Sequence, residues 1–373
     1  MISITLEVNR KCNFRCTYCY MKEKLDYEMS METAAASIDW AVRKYELDKD
    51  PNKEIDVDFI GGEPLCSFPL IKRTIAYIKG RYPDIKFVYT MTTNGSLITE
   101  EVVSFLIEND FFIKISLDGT KEDNDLNRVW ASGKGTFDDV IRKFKYLNRY
   151  QIELNRGVQV NSVVTKNNYK NYAKNLKFLV DEGGLRSVDL GIDKGEHWSD
   201  DEIRELTEVM EKALDFYLES NKNGKFFTWV FIENAYKNYL RKDDKILFKC
   251  GAGIRSFYIA WNGEIFMCPA CMEKEFVIGD IGSDLGGPWY DEIIRNKDIE
   301  QIDNKKCQAC EYGDVCPTKG CYVNSFKENG SIHKPSRISC LITKMTAKMY
   351  RDHKTEIDEI MRRRNEYLKH SKS

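Results

Sequence analysis

The chain has 373 residues, 42% of them hydrophobic and 31% charged, and a formal net charge of −2. This balance leaves no broad basic footprint and so counts against a nucleic-acid partner. No apolar run approaches the roughly 18 residues of a membrane span, and the N-terminus lacks a signal-peptide layout, so the expected location is the cytoplasm.

Up to residue 195, short β-branched runs alternate with amphipathic stretches. The pattern predicts strands at Ile2 to Val8, Ile55 to Ile60, Ile85 to Thr90, Phe111 to Leu117, Gly157 to Val164 and Ser187 to Ile192. Helices are predicted between them at Met31 to Tyr45, Pro69 to Arg81, Glu100 to Glu108, Thr136 to Arg149 and Tyr169 to Glu182. Six β/α units of this kind imply an α/β fold with a parallel sheet and chemistry at the carboxyl ends of the strands. The expected divisions are a catalytic domain over 1–198, a helical bridge over 199–245, a cysteine-rich domain over 246–342 and a C-terminal helix over 343–373.

The cysteines number twelve: three between residues 12 and 19, one at 66, and eight between 250 and 340. In a reducing compartment such clusters argue for metal ligands ahead of disulfides. Directly after the first strand stands Cys12-Asn-Phe-Arg-Cys16-Thr-Tyr18-Cys19. Three thiolates can hold one four-iron four-sulfur core and leave its fourth iron open, whereas a structural zinc site is normally closed. The next strand ends carry Gly61-Gly62-Glu63-Pro64, Thr92-Thr93-Asn94-Gly95 and Ser116-Leu117-Asp118-Gly119. Singly, these are turn sequences.

In this order, on successive strand ends, they resemble the radical S-adenosylmethionine (SAM) enzymes over residues 1 to 195. The resemblance implies a partial (β/α)6 barrel, with Cys12, Cys16 and Cys19 holding the cluster that chelates SAM. Around the SAM it places Tyr18, Gly61, Gly62, Glu63, Pro64, Asn94, Ser116, Asp118 and Arg128, with Glu63 toward the ammonium and Arg128 toward the carboxylate, as a zwitterion requires. Cys66 reads as a small buried apolar residue and His197 as a solvent-facing loop residue ahead of a helix capped by Ser199. Trp229, Phe231 and Tyr236 read as core.

In the second cysteine region, Phe257 to Trp261 and Ile265 to Met267 flank Asn262-Gly263 and predict a hairpin with a type I′ turn. Zinc ribbons also use hairpins and CxxC pairs. After the first domain, however, the array resembles the SPASM extension of peptide-modifying radical SAM enzymes, a small α+β domain with two auxiliary four-iron four-sulfur clusters. The resemblance assigns Cys250, Cys268 and Cys321 to one cluster and Cys307, Cys310, Cys316 and Cys340 to the other. The chain departs from the pattern twice. Four residues, not three, separate Cys316 from Cys321, and Cys271 lies three residues after Cys268, either as a further ligand or beside an open iron that binds a substrate thiolate. The final stretch Lys344 to Lys369 reads as one charged amphipathic helix, its Arg362-Arg363-Arg364 either solvated or set to meet an acidic peptide.

The resemblance implies three clusters, SAM, a low-potential electron donor of flavodoxin or ferredoxin type, and a ribosomally made precursor peptide. The expected reaction is hydrogen abstraction followed by thioether crosslinking. Rival expectations are a sulfatase-maturase type that oxidises Cys or Ser, a carbon–carbon crosslinking maturase, and a non-catalytic iron–sulfur or zinc scaffold. The sulfatase-maturase pattern places an Asp after the cysteine matching Cys268, where this chain has Pro269. Because strand one starts the chain, leader recognition is expected to be weak, carried by a separate leader-binding protein, or built on the cysteine-rich surface.

Overall fold

A computed structural model describes residues 1–21, 23–47, 54–240, 250–295, 305–316 and 321–370. In chain order the elements are β1 (Ile2–Asn9), α1 (Met31–Leu47), β2 (Glu54–Gly61), α2 (Phe68–Arg81), β3 (Lys86–Thr93), α3 (Glu100–Glu108), β4 (Phe112–Ser116), α4 (Lys121–Asn127), α5 (Phe137–Ile141), α6 (Phe144–Glu153) and β5 (Gln159–Val164). There follow α7 (Tyr172–Asp181), β6 (Ser187–Ile192), α8 (Asp200–Lys222), β7 (Thr228–Trp229), α9 (Val230–Leu240), β8 (Ser256–Ile259), β9 (Glu264–Phe266) and β10 (Val277–Asp280). The chain continues through α10 (Pro288–Arg295), α11 (Lys305–Gln308), α12 (Tyr322–Asn329), α13 (Arg337–Asp352) and α14 (Lys354–His370).

The chain divides into two compact units. One comprises Met1–Ser116, Arg128–Val158 and Cys250–Asn296, and the other Leu117–Asn127, Gln159–Lys249 and Lys297–Ser373. In the first unit the strands run β10-β9-β8-β1-β2-β3-β4. Strands β8 and β1 to β4 pair in parallel, while β9 and β10 add antiparallel. In the second unit β5, β6 and β7 pair in parallel.

One face of the first unit's sheet is apolar and packed: Ile4, Leu6, Ile55, Val57 and Phe59 are fully buried. Trp40 of α1 meets Phe257 of β8 edge-on, with ring centroids 5.0 Å apart. The opposite face is polar. Ser3 donates to Asp56 at 2.9 Å, Thr90 donates to Asp58 at 2.9 Å, and Lys114 and Ser116 follow on β4, all only partly buried. Parallel sheets usually bury apolar side chains on both faces, so this one has been kept for something other than packing.

Four expectations need correction. The stretch 136–149 is two helices, α5 and α6, separated at Arg142 and Lys143, with Val140 and Leu147 both buried. The hairpin turn between β8 and β9 is not type I′. Gly263 alone takes a positive φ, at 90°, while the Asn262 side chain accepts the Glu264 N–H at 3.2 Å and its backbone keeps a negative φ. The resulting three-residue loop is a type I turn closed by a left-handed glycine. The last helix is two, with α13 ending before His353. Between 199 and 240 the helical bridge is α8 and α9 interrupted by the short strand β7, and residues 241–249 lie outside the described residues. Ser199 does cap α8, in a reciprocal box with Glu202.

Candidate active site

Strand β1 delivers the cysteine loop to the carboxyl edge of the first unit's sheet, and neighbouring loops hold it there. The buried Asn9 donates to the Glu63 carbonyl at 3.0 Å and to Ser67 Oγ at 2.8 Å. Gly62 N–H reaches the Asn9 carbonyl at 3.1 Å, and Glu63 N–H reaches that of Lys11 at 2.6 Å. This approach is why the β2 loop needs glycine: a Cβ on Gly62 would stand 2.2 Å from the Lys11 carbonyl oxygen, and one on Gly61 2.6 Å from that of Asn9.

Further along the loop, Phe14 is buried edge-on against Trp130 at 4.7 Å, and Arg15 N–H bonds the Val129 carbonyl at 2.7 Å. Asn13 exchanges hydrogen bonds with the β3 loop, giving one to Ser96 Oγ at 2.8 Å and taking one from Asn94 Nδ2 at 2.8 Å. Cys12, Cys16 and Cys19 are all partly exposed. Phe14 N–H lies 3.4 Å from Cys12 Sγ, and Lys24 Nζ lies 2.8 Å from Cys19 Sγ. Burial pushes the Cys12 thiol up to about 11, reinforced by Glu63 and Cys16 and opposed by the Phe14 N–H and Lys24. Soft thiol donors on one braced loop, with N–H and ammonium groups beside the sulfurs, fit an iron–sulfur cluster, whose ligands need such outer partners.

The residues expected around SAM fall into two groups. Arg128 and Tyr18 are joined, Nη1 to Oη, at 2.7 Å, which couples the aromatic of the cysteine motif to the cation. Pro64 opens a single 3-10 turn, and Ser116 stays partly exposed at the end of β4. Glu63 and Asp118, by contrast, are each 1% exposed and hold loops together. Glu63 accepts from Thr93 Oγ1 at 2.6 Å, Asn94 N–H at 2.7 Å and Leu65 N–H at 3.1 Å. Burial raises its carboxyl above the usual range against those three bonds and Arg128. Asp118 takes the Val163 N–H at 3.1 Å and receives the Ser162 hydroxyl on its carbonyl at 3.0 Å, which fixes the loop after β4 to β5. Cys66 is partly exposed, not buried, and its thiol is pushed up to about 11 by burial and then by Glu63 and Cys12. His197 is exposed.

Sequence reading passed over the polar sheet face. Its signal was present as polar residues at a period of two, Asp56-x-Asp58, Thr90-x-Thr92 and Lys114-x-Ser116, inside runs otherwise read as parallel strands.

Of the second cysteine array, Cys307, Cys310, Cys316 and Cys340 line one cavity of the second unit together with Tyr312 and Lys344. Cys250, Cys268 and Cys271 belong to the first unit and Cys321 to the second. Cys271 is 1% exposed, its Sγ 3.7 Å from that of Cys268. Two thiolates each about 2.3 Å from one tetrahedral metal stand about this far apart. The extra residue between Cys316 and Cys321 lies in 317–320, outside the described residues.

A family model described as the radical SAM superfamily matches residues 6–179 of the chain. A cysteine-type anaerobic sulfatase-maturating enzyme of Clostridium novyi is 27% identical over 330 residues, covering 84% of this chain and 85% of that protein. Among solved structures, native anSMEcpe with bound AdoMet and Cp18Cys peptide superposes with a TM-score of 0.80 at 20% identity, over 96% of this chain and 99% of that one. Streptococcus suis SuiB bound to its precursor peptide SuiA gives 0.65 at 19% identity, over 91% and 75%. These likenesses establish the mixed α/β radical SAM fold.

Proposed function

We propose that this chain is a radical SAM maturase of a cysteine-containing peptide or protein. The observation that carries the reading is the gathering of Cys307, Cys310, Cys316 and Cys340 around one cavity, in addition to the separate loop of Cys12, Cys16 and Cys19. A chain that only split SAM would need the loop alone; a second thiol-lined centre gives the surplus electron of an oxidised substrate somewhere to go. The names of the sulfatase-maturating relative and of the peptide-bound SuiB support a peptide substrate.

In this reading Cys12, Cys16 and Cys19 hold the open cluster, which when bound supplies the electron that splits SAM into methionine and a 5′-deoxyadenosyl radical. Arg128 with Tyr18, the Gly61-Gly62 backbone, Pro64, Asn94 and Ser116 surround SAM, and Glu63 and Asp118 keep the two loops in place. Cys250, Cys268, Cys321 and Cys271 hold one auxiliary cluster, and Cys307, Cys310, Cys316 and Cys340 the other. The polar sheet face receives the reacting residue, and a flavodoxin- or ferredoxin-type donor supplies reducing electrons.

Two chemistries share this first step. Thioether crosslinking agrees with Pro269 standing where a sulfatase maturase carries its Asp base. Oxidation of Cys or Ser to formylglycine agrees with the sulfatase-maturating relative, and Asp58 provides a carboxylate on the open sheet face in place of the missing Asp. Anaerobically reconstituted protein should hold about twelve irons, three four-iron clusters, and release 5′-deoxyadenosine under dithionite. Mass spectrometry of cysteine peptides then separates the chemistries: a thioether removes two hydrogens, whereas formylglycine from cysteine loses sulfur and two hydrogens and gains one oxygen. Protein that cleaves SAM but holds only about four irons removes the support for both.

A further inference from the structure

A cavity of about 250 Å³ opens in the second unit between β6, α9 and α13. Asn234 and Asn238 lie one turn apart on α9, and Ser339 and Thr343 one turn apart on α13, all four lining the space. Phe231 and Ile342 line it as well, giving it an apolar part. Ser339 is 3% exposed and its Oγ has no hydrogen-bond partner among the described residues. A buried hydroxyl left unpaired is costly and uncommon, and here it borders empty space, which is where a ligand group would satisfy it.

The lining also says what kind of ligand. Asp189 and Lys194 bring one charge of each sign, so the site has no cationic surplus for a phosphate or a nucleotide. Its volume falls below the 300 to 1,000 Å³ or so usual for drug-sized ligands. Carboxamides donate and accept at once, as peptide groups require. Spacing points the same way: residues four apart on a helix are about 6 Å apart along its axis, close to the roughly 6.6 Å between alternate residues of an extended chain. Both rails, 234/238 and 339/343, have that interval.

We propose that this cavity binds a short, extended, uncharged stretch of the peptide substrate, its backbone between the Asn234/Asn238 and Ser339/Thr343 rails and one apolar side chain against Phe231 and Ile342. The inference rests on the maturase reading for its ligand but not for its geometry. Thr343 also lines the four-cysteine cavity, so the occupant lies against the wall that carries Cys340.

The test uses the reconstituted full chain and the capped tripeptide amide acetyl-Ala-Leu-Ala-N-methylamide, with its backbone N-methylated analogue and inorganic phosphate as controls. Saturable binding of the tripeptide is expected, weakened at least tenfold by backbone N-methylation and by the double substitution Asn234→Leu, Asn238→Leu. Equal binding of the N-methylated analogue or of phosphate, or no saturable binding, overturns the site. Because a variant can misfold, a photoreactive benzoylphenylalanine in place of the leucine gives an independent readout: crosslinks must map to α9 or α13, and crosslinks elsewhere overturn it. A chain that binds the tripeptide here yet modifies no peptide leaves the site standing and removes the maturase reading. Peptide modification with an unchanged KM in the double variant does the reverse.

Discussion

Asp58 presents one carboxylate oxygen to Thr90 at 2.9 Å, and its other oxygen has no hydrogen-bond partner among the described residues. Burial pushes its pKa up to about 6, with Asp56 adding to the rise and Thr90 and Lys114 opposing it. The unfolded chain releases this proton near pH 4, so between about pH 4 and 6 the folded state holds more protons and loses stability as pH rises. Asp58→Asn, which cannot ionise, should therefore gain about 1 to 3 kcal/mol at pH 7.5 and about half as much at pH 5. Urea titrations at the two pH values measure this, and a gain independent of pH would refute the account.

The three C-terminal arginines behave differently from one another, which corrects the reading of them as a unit. Arg364 reaches inward to Glu233, itself 1% exposed, in a bidentate pair with Nη2 to Oε2 at 2.8 Å, and also bonds Thr228. Arg363 lies over the Phe226 ring, and Arg362 pairs with Glu359 and Glu366 on the exposed face of its own helix. Arg364→Ala strands a buried carboxylate and should cost about 3 to 5 kcal/mol. Arg362→Ala should cost less than about 1 kcal/mol in the same denaturation assay.

Among the elements, what was legible in the sequence followed from burial pattern. Strands with apolar residues at alternate positions and one packed face, such as Ile2 to Val8, and helices with a single apolar stripe, such as Glu100 to Glu108, appear nearly where expected. Less legible were features fixed by a few local bonds. Helix α4 spans seven residues, mostly polar, and has no stripe to find. The β8–β9 turn depended on whether the Asn262 side chain or its backbone would supply the bend. Thiol spacing, written in the chain, was enough to propose the cysteines as ligands; the hydrogen bonds by which Glu63 and Asp118 brace their loops were not legible, since they depend on which loops touch.

The closest such contact gives an element-scale prediction. Gly62→Ala drives a methyl into the Lys11 carbonyl and must lift the β2 loop from the cysteine loop. The variant should fold, retain the iron of the auxiliary centres and lose about one four-iron cluster with SAM cleavage. Iron analysis checks this, and full iron content with normal cleavage would show that the two loops can part without consequence.

At the scale of the whole molecule, two cysteine systems sit on one chain in different settings. Replacing Cys12, Cys16 and Cys19 together by Ala should abolish 5′-deoxyadenosine release while leaving about eight irons, whereas Cys340→Ala should lower iron by up to about four and spare SAM cleavage. Loss of all iron from either variant would mean that the centres assemble only as a set.

The first loop owes its shape to the Asn13, Asn94 and Ser96 bonds, the Phe14–Trp130 contact and the Arg15 bond to Val129, none of which involves sulfur or iron. If this loop holds the proposed cluster, air that destroys the cluster should leave the mould in place, so iron and sulfide should go back in without the chain having to refold.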